Sequence, residues 1–205
     1  MLDLTPYESE INEPINLTTI ASYLSYHLDY LDIEIKSNLF DNIEKISYQN
    51  YDIIGIAVKI GTFPILDRIL KKFDTSNKLL VLGNTLATYL FNEIISKYHN
   101  AICVRFEGEF ILRKIINLYY KNKCTITHSD LRKIPNIAYY SNNKITTTQL
   151  EIFSLKNYPK IDRKTFNQPT TKNIIYRIEG SRGCSWNQCT FCSIPGKYSN
   201  RYRPL

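Results

Sequence analysis

The sequence predicts an α/β fold. A five-stranded parallel sheet fills residues 1–125, a linker with a β-hairpin occupies residues 126–172, and the start of a second domain takes residues 173–205. Three observations carry this. Short apolar runs alternate with helical periods through the first 125 residues, the pattern of a sheet layered with crossover helices. Turn and breaker residues then replace that alternation. Finally, three of the five cysteines crowd into nine residues, Cys184 to Cys192.

Each element has its own signal. Leu2–Pro6 reads as the first strand. Leu17, Ile20, Ala21, Leu24 and Leu28 recur on one face of a helix. Asp32–Leu39 and Ile53–Val58 are the next strands. Ile65, Leu66, Ile69, Leu70 and Phe73 form a second helical stripe, with Pro64 in its first turn. Lys78–Leu82 is the fourth strand. Leu86, Ala87, Leu90, Phe91, Ile94 and Ile95 make one helix with Thr85 as its N-cap. Ala101–Phe106 is the fifth strand, and Ile111, Leu112, Ile115 and Ile116 mark the last helix of the series. Such a parallel sheet needs right-handed crossovers. Its ligands bind beyond the C-terminal strand ends, where strand order reverses. The residues there are Tyr7 to Glu13, Lys59-Ile60-Gly61-Thr62, Gly83-Asn84-Thr85 and Glu107-Gly108-Glu109.

In the linker, Pro135 to Tyr140 and Ile145 to Thr148 flank the turn Ser141-Asn142-Asn143-Lys144, a hairpin signal. Asn157-Tyr158-Pro159-Lys160 and Gln168-Pro169 are breakers before the next domain.

Composition is that of a soluble globular chain, and 205 residues suffice for one good-sized domain plus part of another. No apolar run is long enough to span a bilayer, so no membrane partner is expected. No targeting segment is visible, which makes a reducing cytoplasm the expected compartment. The net charge is +7, and residues 156–205 carry ten Lys or Arg against Asp162 and Glu179. Those cations are scattered among turns and strands, so nucleic acid is disfavoured as a partner. They read as surface that a further domain or an anionic cofactor covers.

Cys184, Cys189 and Cys192 have the spacing C-x4-C-x2-C. Thiolates this close on one loop can converge on one inorganic centre, and three of them leave one iron of a [4Fe–4S] cluster open. Structural zinc competes, but it needs a fourth ligand, and His99 and His128 lie far away in sequence. Three unliganded thiols are the remaining alternative. An odd cysteine count argues against a disulfide framework. Cys103 falls in a buried strand and Cys124 beyond a helix end, neither placed as a ligand.

Ser181-Arg182-Gly183-Cys184 and Cys189-Thr190-Phe191-Cys192, entered from Ile174, Ile175 and Ile178, resemble the cluster loop of the radical S-adenosylmethionine enzymes. The resemblance implies that Cys184, Cys189 and Cys192 hold a [4Fe–4S] cluster. It also implies that S-adenosylmethionine chelates the open iron and is cleaved there to a radical. The usual spacing in that family is C-x3-C-x2-C, one residue shorter.

A second resemblance covers the sheet. Asp52-Ile53-Ile54-Gly55-Ile56, Val81 to Thr88 and Arg105-Phe106-Glu107-Gly108-Glu109 resemble the Rossmann-like (flavodoxin-like) cobalamin-binding domain that precedes many radical S-adenosylmethionine domains. It implies cobalamin held by Lys59, Ile60, Gly61, Thr62, Gly83, Asn84, Thr85, Glu107, Gly108 and Glu109. Asn84 stands where the family has a second glycine, and Phe106 where its turn begins with glycine. Thr5-Pro6-Tyr7-Glu8-Ser9-Glu10 contains no histidine, so no cobalt ligand is expected from that loop.

Together these resemblances imply the N-terminal portion of a cobalamin-dependent radical S-adenosylmethionine enzyme, of methyltransferase type. Only the first strand and cluster loop of its partial barrel are expected here, so the chain alone should not turn over S-adenosylmethionine efficiently. The resemblance further implies a reducing donor such as flavodoxin or ferredoxin, and a small-molecule or peptide substrate. The alternatives are a ligand-binding or sensing module, or an inactive truncated remnant.

Overall fold

The computed structural model describes residues 1–4, 11–37, 45–72, 78–156, 158–166, 174–194 and 202–205. In chain order the first elements are β1 (Leu2–Asp3), β2 (Ile11–Asn12), α1 (Ile15–His27), β3 (Lys36–Ser37), β4 (Ile53–Ala57) and α2 (Phe63–Lys72). There follow β5 (Leu79–Gly83), α3 (Asn84–Tyr89), α4 (Phe91–Lys97), β6 (Ala101–Val104), α5 (Glu109–Lys121) and α6 (His128–Leu131). The last are β7 (Ile137–Ser141), β8 (Lys144–Thr147), β9 (Ile174–Ile175), β10 (Ser181–Arg182) and β11 (Arg203–Pro204).

The expected α/β class holds. A seven-stranded sheet runs in the order β3-β1-β4-β5-β6-β7-β8, and its first five strands are parallel. Strand order reverses between β1 and β4, the ligand-binding position in doubly wound sheets. The strands are apolar on both faces because helices cover both. Leu79, Val81, Ile102 and Val104 pack with Leu24 and Leu28 of α1 and Ile111, Ile115 and Ile116 of α5. Their neighbours Leu80, Leu82, Ile54, Ile56 and Cys103 point the other way, onto Leu66 and Ile69 of α2, Leu86 of α3, and Ile94 and Ile95 of α4.

Several boundaries differ from expectation. The helix expected across Leu86 to Ile95 is two helices, broken at Leu90, whose φ of −115° and ψ of 32° leave the helical region. Its stripe reads as continuous because both pieces reach the same core. α3 also begins at Asn84 rather than after Thr85, and the Thr85 N–H donates to Asn84 Oδ1 at 2.7 Å. β1 and β3 pair over two residues each, shorter than expected. Residues 5, 6, 38 and 39 of those expected strands lie outside the described residues.

The hairpin expected in the linker forms. Asn142 and Asn143 have φ of 52° and 58°, the left-handed pair that a tight two-residue turn requires. It is more than a connector, because β7 pairs antiparallel with β6 and carries the sheet onward. The edge of β6 is thereby covered.

The later segment folds back on the sheet. β9 pairs with β2, and Phe166 packs against Leu17, Ala21, Ile35 and Ala57. Glu13, its side chain fully buried, accepts Arg163 Nε at 2.9 Å and Nη2 at 3.0 Å, and the Arg177 N–H at 3.1 Å. Among the described residues, no helix is long and apolar enough to cross a membrane.

Candidate cofactor site at the sheet end

A cavity of about 530 Å³ opens at the C-terminal strand ends on the α1/α5 side of the sheet. Gly55 and Ala57 of β4, Gly83 of β5 and Val104 of β6 form its floor, and Ile15, Asn16, Thr19 and Ile20 of α1 one wall. Phe106, Glu107, Gly108 and Glu109 form another, and Arg177 to Arg182 close it from the C-terminal segment. A Cβ at Gly83 would meet no heavy atom within 4 Å, so this strand end leaves its space to the cavity.

The structure gathers part of the expected set. Gly83, Asn84, Glu107, Gly108 and Glu109 line the cavity, whereas Lys59, Ile60, Gly61, Thr62 and Thr85 do not. Lys59–Thr62 instead closes on itself: Thr62 Oγ1 donates to the Lys59 carbonyl at 2.6 Å and accepts the Lys59 N–H at 3.0 Å. Lys59 Nζ turns to Asp3 Oδ1, 3.4 Å away. The loop from Thr5 to Glu10 lies outside the described residues. No histidine lines the cavity. His27 packs on Tyr23, His99 stacks on Tyr140 with centroids 3.8 Å apart, and His128 faces Tyr139.

Two polar atoms in this cavity wall are unsatisfied. Thr19 Oγ1 and Glu109 Oε2 are buried without a hydrogen-bond partner. Such orphans are costly, at about 1–3 kcal/mol each, unless a ligand or water completes them. A hydroxyl donor and a carboxylate acceptor complement a primary amide, which carries one acceptor and two donors. Thr19 carried no sequence signal, because it lies off the Leu17–Leu28 apolar stripe, where a threonine reads as ordinary helix surface.

Asn84 and Phe106 both occupy the left-handed backbone region, with φ of 77° and 67°. Thr88 of α3 joins them: its Oγ1 accepts the Phe106 N–H at 2.9 Å and donates to the Asn84 carbonyl at 3.1 Å. Arg105, next in line, lies over the Phe91 and Phe106 rings, at 4.7 and 5.4 Å.

The cysteine loop rises from a two-stranded stem in which Arg182 faces Arg203 across β10 and β11. Arg182 is 4% exposed and is gripped by Glu107, Glu109 and Glu179. Burial alone lowers its pKa, but the Glu109 charge and the carboxylate hydrogen bonds reverse that and hold it above the ordinary arginine value. Beside it, the Tyr158 hydroxyl is pushed up by burial first and by the Glu109 charge second, and stays protonated. A second anchor comes from α3, where the Tyr89 hydroxyl donates to the Ser193 carbonyl at 2.8 Å.

Cys184, Cys189 and Cys192 are all half-buried and form no disulfide. The Cys192 N–H donates to the Cys189 carbonyl at 3.3 Å. Among the described residues, no three His, Cys, Asp or Glu side chains converge closely enough to hold a metal ion. The donor set suits an iron–sulfur cluster, and loading one requires the loop to draw its three sulfurs together. Around them Ile178 and Phe191 are each 90% exposed, and Trp186 65%.

The fold is similar to part of the fold of solved cobalamin-dependent S-adenosylmethionine radical enzymes. The whole chain superposes on OxsB, solved with aqua-cobalamin and S-adenosylmethionine bound, with a TM-score of 0.74 and 21% identity, and covers 29% of it. It also superposes on the radical S-adenosylmethionine methyltransferase TsrM from Kitasatospora setae, solved with cobalamin and a [4Fe–4S] cluster, with a TM-score of 0.70 and 14% identity, and covers 42% of it. Among curated proteins, the 4'-phospho-dehydrooxetanocin synthase of Priestia megaterium is 23% identical in an alignment that covers 93% of this chain and 27% of that protein. The chain therefore spans less than half the length of each of these three proteins. No family model matches it.

Proposed function

We propose that this chain is the cofactor-holding N-terminal part of a cobalamin-dependent radical S-adenosylmethionine enzyme of methyltransferase type. One observation carries the reading: Arg177 to Arg182, the segment that leads into the three-cysteine loop, line the sheet-end cavity, and Arg182 stands two residues before Cys184. The unsatisfied Thr19 hydroxyl and the open Oε2 of Glu109 suit the amide-fringed periphery of a corrin. When bound, cobalamin and the cluster supply methyl-transfer and one-electron chemistry, and the protein supplies placement and exclusion of water. Cys184, Cys189 and Cys192 hold the cluster. Gly83, Asn84, Phe106, Glu107, Gly108 and Glu109 border the corrin. No histidine reaches the cavity, so cobalt takes no imidazole from His27, His99 or His128. The reaction calls for a reducing donor such as flavodoxin or ferredoxin, a small-molecule or peptide substrate, and a reducing compartment such as the cytoplasm.

The test is anaerobic reconstitution followed by titration with hydroxocobalamin. Iron and sulfide should each approach about four per chain and fall on Cys189→Ala or Cys192→Ala. Cobalamin should bind with a changed visible spectrum, and reduced cobalt should show no nitrogen coupling from these histidines by electron paramagnetic resonance. Stoichiometric zinc in place of iron, or no cobalamin binding at millimolar concentration, would overturn the reading.

A further inference from the structure

The wall of the cavity and the stem of the cysteine loop form one ionic unit. Glu107 grips both strands of the stem: Oε1 accepts Arg182 Nη1 at 2.8 Å and Arg203 Nη2 at 2.9 Å, while Oε2 accepts Arg203 Nη1 at 2.9 Å. Glu109 Oε1 accepts Arg182 Nη2 at 2.7 Å, and Glu179 Oε2 takes Arg182 Nε and Nη2 at 3.2 and 3.1 Å. Arg203 Nη1 also donates to the Phe153 carbonyl at 2.7 Å, tying the stem to the chain beyond the hairpin. Three carboxylates thus meet two guanidinium groups, and Glu109 Oε2 completes no hydrogen bond, with the Tyr158 hydroxyl, also without one, close to the same carboxylate. Arg182 stands two residues before Cys184, and Glu107 and Glu109 line the cavity.

We propose that Arg182 is a positioning residue that couples the two cofactor sites. The proposal rests on the cofactor reading above. A ligand that donates to Glu109 Oε2 fixes the carboxylate whose other oxygen grips Arg182, and through Arg182 the start of the cysteine loop. By linkage, a loop loaded with its cluster tightens ligand binding by the same factor. A purely structural salt bridge would stabilise the fold without making one site respond to the other.

The experiment measures alkylation of Cys184, Cys189 and Cys192 in the 205-residue chain by mass spectrometry, with and without saturating cyanocobalamin, normalised to exposed Cys124. Cyanocobalamin should slow alkylation of the loop cysteines by about 5-fold or more, the lower range of allosteric coupling. The protection should disappear in Arg182→Gln and return in part in Arg182→Lys. Cluster reconstitution should tighten cyanocobalamin binding by a matching factor in the wild type and not in Arg182→Gln. Should Arg182→Gln fail to fold, Glu109→Gln, which keeps the shape and removes the charge, takes its place with the same expectation. Equal protection in wild type and variant would overturn the coupling and leave the cofactor reading standing. Failure of the wild-type chain to bind cyanocobalamin would overturn both.

Discussion

Asn84 and Phe106, at the ends of neighbouring strands, both adopt left-handed backbone, and the Thr88 hydroxyl links the N–H of one to the carbonyl of the other. These are the two positions where the sequence departs from the glycines of the family it resembles. The backbone shape survives the loss of glycine. Asparagine tolerates this region better than most residues, and its Oδ1 takes the Thr85 N–H and hydroxyl at 2.7 and 3.0 Å. Phenylalanine has no such compensation, and Thr88 holds its amide in place.

Asn84→Gly should therefore change unfolding free energy by no more than about 0.5 kcal/mol, since glycine regains backbone freedom as it loses the Oδ1 bonds. Asn84→Ala loses both and should cost about 1–2 kcal/mol. Urea denaturation of the two variants measures the difference.

Thr88→Val, at a side chain only 2% exposed, should leave the Phe106 N–H without its acceptor. The expected cost is about 1–3 kcal/mol in stability. Cobalamin affinity should fall as well, because both residues that Thr88 joins border the cavity. Thr88→Ser, which keeps the hydroxyl, should restore most of each. Titration with cyanocobalamin alongside urea denaturation checks both effects.

Burial pushes the Cys103 thiol up to about 12. Thiolate is the reactive form, so Cys103 should resist iodoacetamide at about pH 8 in the native chain while exposed Cys124 reacts. Cys103 should label only on unfolding. Peptide mapping after timed alkylation decides this.

Hydrogen bonds from Lys71, Lys97 and Tyr98 hold the Asp67 carboxyl well below the usual carboxylate range and tie α2 to α4. A carboxylate depressed in the folded state stabilises fully above its unfolded pKa of about 3.9 and loses that contribution as pH falls toward the folded value. The Tm gap between wild type and Asp67→Asn should thus be constant near neutrality and close progressively below about pH 4. Thermal melts at stepped pH report it.

Local sequence signals carry the layered α/β class, the parallel direction of the five strand runs, the hairpin turn at Asn142-Asn143 and the crowding of Cys184, Cys189 and Cys192. These follow from local signals: apolar periodicity, left-handed turn residues and ligand spacing along one short segment. The tertiary structure alone decided which strand-end loops meet. Lys59–Thr62 and Gly83–Thr85 follow adjacent strands and looked equivalent, yet Thr62 closes its own turn, and only Gly83 and Asn84 of these loops reach the cavity. Glu107 and Glu109 read as cofactor residues, and the fold makes them grip Arg182 and Arg203, distant in sequence but brought together by the β10–β11 stem. Periodicity tells which face of an element is buried. It does not tell which charges meet across tens of residues, because that depends on how separate elements pack.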